Sequence, residues 1–183
     1  MHAARKLPPK KYLQECFDYD WTTGILYWKS RPRKHFKSEK GFLAFNSKYP
    51  GRAAFTTIDN GYLRGALNGQ PCRAHRVVWK LITGSDPSIL DHANNNRKDN
   101  RFSNLREADF AANARNARLR KDSVSGLKGV SFDNTNGKWL AQIRVDGRTK
   151  YLGHFVDSSE AHQAYKTAAK TFHREFANFG QVS

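Results

Sequence analysis

Leu90–Leu105 reads LDHANNNRKDNRFSNL. Asp91 and His92 stand side by side, and four asparagines, Asn94, Asn95, Asn96 and Asn100, follow within eight residues of the histidine. A fifth, Asn104, lies twelve residues past it. These residue types suit phosphodiester hydrolysis. That reaction needs a divalent cation to polarise a phosphate oxygen and stabilise the leaving oxygen. Hard oxygen ligands such as the Asp91 carboxylate suit Mg2+ or Mn2+. It also needs a general base, and a neutral imidazole such as His92 serves near neutral pH. A further group must hold the imidazole in one tautomer. On a strand, Asp91 and His92 point to opposite sides, so a polar turn lets them flank a scissile phosphate. Asn104, on a returning strand, is placed to hydrogen-bond the His92 ring. Asn113, in the first turns of a following helix, completes the metal site with Asp91. Asn94, Asn95, Asn96 and Asn100 are expected to shape the loop, because asparagine tolerates left-handed backbone and closes its own turns.

Upstream, Gly61–His75 (GYLRGALNGQPCRAH) reads as a hairpin, with Asn68-Gly69 as a type I′ turn signal. His75–Ile82 (HRVVWKLI) has helical spacing in Val78, Trp79 and Ile82, and Gly84 supplies a stop. His75 is read as structural, with a backbone contact to DNA as the alternative. Residues 1–60 form a basic N-terminal region of undefined fold. Within it, KSRPRKHFKSEK (Lys29–Lys40) is either a solvated linker or a phosphate-contacting arm.

Downstream, Asp109 is a plausible N-cap for a helix from Phe110, and Asn116, one turn past Asn113, is read as structural. The stretch LRKDSVSG (119–126) reads as a basic linker. Beyond it, LKGVSF (127–132), KWLAQIRV (138–145) and RTKYLGHF (148–155) read as three strands, the last two joined by a tight Asp146-Gly147 turn. Asp157 with Glu160 starts a helix whose inward stripe is Ala161, Ala164, Tyr165, Ala168 and Phe172. The predicted fold class is α+β: a ββα nuclease module followed by a small three-stranded antiparallel sheet packed on one helix. Its predicted segments are 1–60, 61–118, the linker 119–126, and 127–183.

Composition narrows the partner. The 183 residues carry 32 Lys+Arg against 16 Asp+Glu, a net charge of +16. The excess is spread along the chain: 12 basic and 5 acidic residues in 1–60, 12 and 6 in 61–124, 8 and 5 in 125–183. Such a chain is expected to meet a polyanion, nucleic acid above all. No apolar run approaches the ~20 residues of a membrane span, and the N-terminus has no apolar leader core. Two distant cysteines, Cys16 and Cys72, exclude a disulfide framework and a Cys-rich zinc site, and fit a reducing cytoplasm. His35, His154, His162 and His173 show no ligand spacing.

DHANNNRKDNRFSNLREADFAANARN resembles the HNH nucleases, in particular phage-type homing endonucleases with the ββα-metal fold. The matching elements are Asp91-His92, Asp99-Asn100-Arg101, Asn104-Leu105-Arg106 and Asn113, with AHRVVW (Ala74–Trp79) upstream. Ala93 stands where a larger aliphatic residue is usual, and Asn95 where glycine is usual. The resemblance implies that His92 is the general base, that Asp91 and Asn113 ligate one Mg2+ or Mn2+, and that Asn104 orients His92. Arg97, Lys98, Arg101, Arg115 and Arg118 surround this site as candidate phosphate contacts. One catalytic set per chain suits nicking by a monomer or paired cutting by a dimer. A phage-encoded enzyme in the host cytoplasm, acting on double-stranded DNA, is expected.

Residues 125–180 resemble the plant ethylene-response-factor type of DNA-binding domain, through SGLKGVSF, GKWLAQIRV, KYLGHF and SSEAHQAYKTAAKTF. In that family the sheet enters the major groove. Pairing Val145 with Arg148, Arg144 with Thr149 and Gln142 with Tyr151 puts Gln142, Arg144, Thr149 and Tyr151 on one face. Lys128, Lys138, Arg148 and Lys150 are further candidate DNA contacts. Ser131, Asp133, Thr149 and Tyr151 depart from the plant pattern, so a different target sequence is expected. Two other functions fit the composition: a catalytically inactive DNA-binding regulator, and an RNA-binding structural protein.

Overall fold

The computed structural model describes residues 6–109, 116, 119 and 123–180. It divides into two compact units, Met1–Glu107 and Ala108–Ser183. The first opens with helix α1 (Lys10–Cys16), which runs into strand β1 (Phe17–Tyr19). β1 pairs antiparallel with β2 (Leu26–Trp28), Phe17 opposite Trp28 and Tyr19 opposite Leu26. Helix α2 (Glu39–Lys48) follows, capped by Ser38, whose Oγ accepts the Gly41 N–H at 3.1 Å. Three short strands, β3 (Thr57–Asp59), β4 (Tyr62–Leu67) and β5 (Gln70–Arg73), then form an antiparallel meander. Between β4 and β5, Asn68 at φ 53° and Gly69 at φ 74° make the left-handed pair that a type I′ turn requires.

Helix α3 (Ala74–Thr83) follows, then β6 (Ile89–His92), which pairs with β7 (Leu105–Ala108). One face of α3 is apolar, and Val77, Val78 and Leu81 sink into the core beside Leu13 and Cys16 of α1. Phe17, Leu26, Phe55, Leu67 and Leu105 complete that core. Burying Leu13, Val77 and Val78, each 0% exposed, contributes about 1.5–3 kcal/mol per side chain.

This core overturns the expected break near residue 60. The N-terminal stretch is an integral part of the first unit, because its apolar residues interleave with those of α3 and β7. The basic Lys29–Lys40 stretch is not a free arm either. Arg31 is 5% exposed, with its guanidinium 4.9 Å from the Phe36 ring centroid and 5.1 Å from that of Phe45. It donates to Tyr12 Oη at 2.5 Å and to Asn68 Oδ1 at 2.9 Å. Arg33 pairs with Glu39 at 2.6 Å and Lys34 with Glu15 at 2.7 Å. Local charge density is used here to tie α1, β2 and α2 together.

The second unit contains an antiparallel sheet in the order β10–β9–β8: β8 (Val130–Asp133), β9 (Lys138–Val145) and β10 (Arg148–Phe155). The first strand begins three residues later than predicted, because Leu127 and Gly129 serve as turn and edge: the Val130 N–H bonds Leu127 O and the Gln142 N–H bonds Gly129 O. Helix α4 (Ser158–His173) covers one face of the sheet. Asp157 caps it, its carboxylate accepting the Ser159 and Glu160 N–H groups at 2.6 and 3.3 Å. Ala161, Tyr165 and Ala168 are buried as the stripe predicts, joined by Ala169. Phe172 departs from it: the ring is 40% exposed and lies 4.5 Å from the Lys150 ammonium. His173 takes the inward place, its Nε2 donating to Arg144 O at 2.9 Å. Among the described residues, no helix is long and apolar enough to cross a membrane.

Candidate active site

β6 ends on Asp91 and His92, and both side chains are buried. Asp91 is 7% exposed and His92 3%. His92 Nε2 lies 3.1 Å from Asn100 Oδ1. An amide oxygen only accepts, so it holds the proton on Nε2 and leaves the neutral ring's lone pair on Nδ1. Burial pushes the His92 pKa below its ordinary value, against the opposing effect of Asn100 and the nearby Asp91 and Asp99 carboxylates. The ring is thus neutral at physiological pH, the state a general base needs.

The partner of His92 differs from the expected one. Asn100, expected only to shape the loop, is 1% exposed and meets the ring. Asn104, expected to orient His92, instead closes the loop. Its Oδ1 accepts the Asn94 N–H at 3.0 Å, its Nδ2 donates to Asp99 O at 2.8 Å, and its carbonyl accepts the Ala93 N–H at 2.9 Å. The other asparagines build the turn as anticipated. Asn94 Oδ1 accepts the Asn96 N–H, Asn96 Oδ1 accepts the Lys98 N–H, and Asn95 sits at φ 60°. That left-handed backbone at Asn95 is one that glycine adopts without cost.

Asp91 Oδ2 accepts from Arg106 Nε at 3.0 Å and Nη2 at 2.8 Å. Among the described residues, no three His, Cys, Asp or Glu side chains converge as a metal cluster. The donor set still fits Mg2+ or Mn2+, since Mg2+ keeps most of its water and takes only one or two carboxylates from a protein. Asp91 supplies a hard oxygen beside the base. Asn113, Arg115 and Arg118, and the helix expected from Phe110, lie outside the described residues.

Two further rings, His75 and Tyr62, crowd this site. His75 opens α3 and lies edge-on to His92 with centroids 5.1 Å apart, while Tyr62 lies 5.1 Å from His75 and 5.8 Å from His92. His75 is buried, and its Nδ1 has no hydrogen-bond partner among the described residues. Burial, with the neighbouring His92, Arg73 and Arg76, lowers its pKa to about 3. Arg73 and Arg97 stack on Tyr62, their guanidiniums 4.3 and 4.8 Å from the ring centroid. Of the expected phosphate contacts, Arg97 also bonds Asn60 O at 3.0 Å, and Lys98 is exposed. Arg101 is engaged by Asp99 through contacts of 2.8 and 2.6 Å. Those bonds, Arg101 first, hold the Asp99 carboxyl down at about 2. Arg101 thus braces the loop while its side chain stays exposed.

In the second unit, the observed register pairs Arg144 with Thr149 and Gln142 with Tyr151, and all four are exposed. Lys138 shares their face by strand alternation. Arg148 and Lys150 pair with Val145 and Ile143 and so point to the helix side. Lys128 is half-buried, and that burial lowers its pKa to about 8. Arg148 and Lys150 thus lie on the other side of the sheet from Gln142, Arg144, Thr149 and Tyr151. Sequence reasoning passed over His154 and Asp133. A bulge between Tyr151 and Gly153 brings Tyr151 Oη 2.9 Å from His154 Nδ1, and His154 Nε2 meets Asp133 Oδ2 at 2.8 Å. A polar chain thus crosses the exposed face from β10 to β8. Its sequence signal is faint, because the bulge shifts which residues share a face.

The HNH endonuclease family model matches residues 72–115, a span that holds α3, β6, the asparagine loop and β7. Protein 3.8 of Escherichia phage T7 is 31% identical over 78 residues, 42% of this chain and 64% of that protein. The match thus spans just under two thirds of the relative's length. No solved structure matches the chain.

Proposed function

We propose that this protein is a metal-assisted, homing-type DNA endonuclease. The observation that carries this is a buried, neutral His92 beside Asp91, tautomer-fixed by Asn100, within the segment that matches the HNH endonuclease family. Asp91 and Asn113 would hold one Mg2+ or Mn2+, which when bound polarises the scissile phosphate and stabilises the leaving oxygen. His92 takes a proton from water at Nδ1 while Asn100 retains the one on Nε2. The ring therefore needs no turn or tautomer change before accepting it. Asn104 keeps the loop closed under His92. Lys98 and Arg97 neutralise phosphates on one side of the base.

The second unit extends the contact with duplex DNA. Gln142, Arg144, Thr149 and Tyr151 present amide, guanidinium and hydroxyl groups from one sheet face, in the manner of an ethylene-response-factor-like domain. Arg144 is suited to guanine and Gln142 to adenine in the major groove. A high net positive charge makes binding fall steeply with salt.

A second function, an inactive DNA-binding regulator, is favoured by one observation: Arg106 occupies Asp91 Oδ2 with two hydrogen bonds. Incubating a supercoiled plasmid bearing the genomic target with Mg2+, Mn2+ or EDTA separates the two. A nuclease gives metal-dependent open-circular or linear product that His92→Ala loses. Tight duplex binding without product, across a pool of genomic substrates, makes it a regulator. Preference for RNA over duplex DNA would overturn both.

A further inference from the structure

The β1–β2 hairpin packs against the end of the asparagine loop, at residues 100–102. Tyr19, the last residue of β1, donates from Oη to Asn100 O at 3.0 Å and accepts the Phe102 N–H at 2.8 Å. One hydroxyl therefore grips the backbone on both sides of Arg101. In the turn between the strands, Gly24 at φ 74° lies against the same backbone. A Cβ there would stand 2.3 Å from Arg101 N and 2.5 Å from the Asn100 carbonyl carbon, so no side chain fits. The Phe102 ring is packed between Trp21 of that turn and Trp79 of α3, with centroids 6.3 and 5.3 Å away.

We propose that Tyr19 and Gly24 are positioning residues for the catalytic histidine, acting through Asn100. This deepens the nuclease assignment above and rests on it. Asn100 is joined to the hairpin through its carbonyl and to His92 Nε2 through its amide, so displacement of its backbone moves the atom that fixes the imidazole. General-base catalysis is sensitive to sub-ångström placement, and a residue that orients a catalytic imidazole is worth roughly 10- to 100-fold in activity. The hairpin lies outside the segment matched by the nuclease family, residues 72–115. Part of the precision of the site is therefore supplied from the N-terminal stretch.

The test uses the full chain with Tyr19→Phe, which keeps the ring and removes both hydrogen bonds. Tyr12→Phe is the control: it removes a hydroxyl that bonds Arg31 and Asn68 in the same unit, far in the hydrogen-bond network from Asn100. Plasmid cleavage gives kcat and KM. Nitrogen-15 NMR of the histidine rings, at a pH where they are neutral, gives the His92 tautomer. Tyr19→Phe is expected to lower kcat roughly 10-fold, leave KM and duplex affinity unchanged, and shift His92 from a single Nε2–H tautomer toward a mixture. Gly24→Ala is expected to move both readouts further the same way. Tyr12→Phe should lower thermal stability comparably and move neither. If Tyr19→Phe and Tyr12→Phe behave alike, the proposal is overturned. If the wild type cuts no DNA, the nuclease assignment fails separately. The His92 nitrogen pattern then decides alone: a shift in Tyr19→Phe upholds the link from hairpin to ring, and an unchanged pattern refutes it.

Discussion

The His92 site and the outer face of the second unit's sheet both gather polar side chains, but in opposite environments. His92, Asn100 and Asp91 are nearly dry, each below 9% exposed. Gln142, Arg144, Thr149 and Tyr151 lie open to water. In the first place a hydrogen bond sets a tautomer and burial sets a protonation state, so small displacements are costly. In the second, side chains are hydrated and adjustable, so each contributes mainly when a partner removes the water. On the proposed function, the dry site would serve chemistry and the solvated face recognition. Mutations should divide the same way, between turnover and affinity.

The largest expected effect is at the base. His92→Ala should reduce cleavage by about 10²–10⁴-fold with duplex affinity retained, measured by plasmid cleavage beside an electrophoretic shift. Equal loss of both would erase the contrast. Asn100→Ala should lower kcat by about 10²-fold through misplacement of the ring. Asn104→Ala should act on the loop, lowering the melting temperature and turnover together. A pure turnover defect in Asn104→Ala with no change in melting would return the orienting role to Asn104.

On the sheet face, Arg144→Ala should weaken duplex binding by about 1–3 kcal/mol and leave kcat at saturating DNA unchanged. A titration at several salt concentrations sharpens this. A reduced salt slope marks a phosphate contact, and an unchanged slope with relaxed sequence preference marks a base contact.

The last contrast concerns acid stability. The His75 pKa falls from 6.5 to about 3 on folding. Above pH 6.5 both folded and unfolded chains hold this ring neutral, and its linkage has no effect. Below that, the unfolded chain binds a proton that the buried ring refuses. Stability is therefore lost as pH falls from about 6.5 toward about 3, at about 1.4 kcal/mol per pH unit from this group. His92, shifted in the same direction, adds to the slope. Urea unfolding at stepped pH should show it, and His75→Phe should flatten it. The solvated sheet face predicts no comparable slope, so Gln142→Ala should leave the profile unchanged.

Much of this architecture is legible along the chain, and the reason is local. The Asn68-Gly69 and Asp146-Gly147 turns each require left-handed backbone that those residue pairs supply. Two-residue turns dictate register, so the pairings of Arg144 with Thr149 and Gln142 with Tyr151 follow directly. The Asp157 cap and the apolar face of α3 are equally local. The bulge after Tyr151 is not, and it created the Tyr151–His154–Asp133 chain unannounced.

Sequence by itself determined the residue types of the site, the adjacency of Asp91 and His92, and the strand, turn and helix signals around them. Those depend on spacing and on short-range backbone preference. Tertiary structure alone decided that Asn100, not Asn104, meets the ring. It also decided that Arg31 is buried against aromatic rings, and that residues 7–55 help build the core of the first unit. Each of these turns on which groups lose water together across distant segments. A row of similar asparagines and arginines looks alike until folding buries some of them and leaves the rest in solvent.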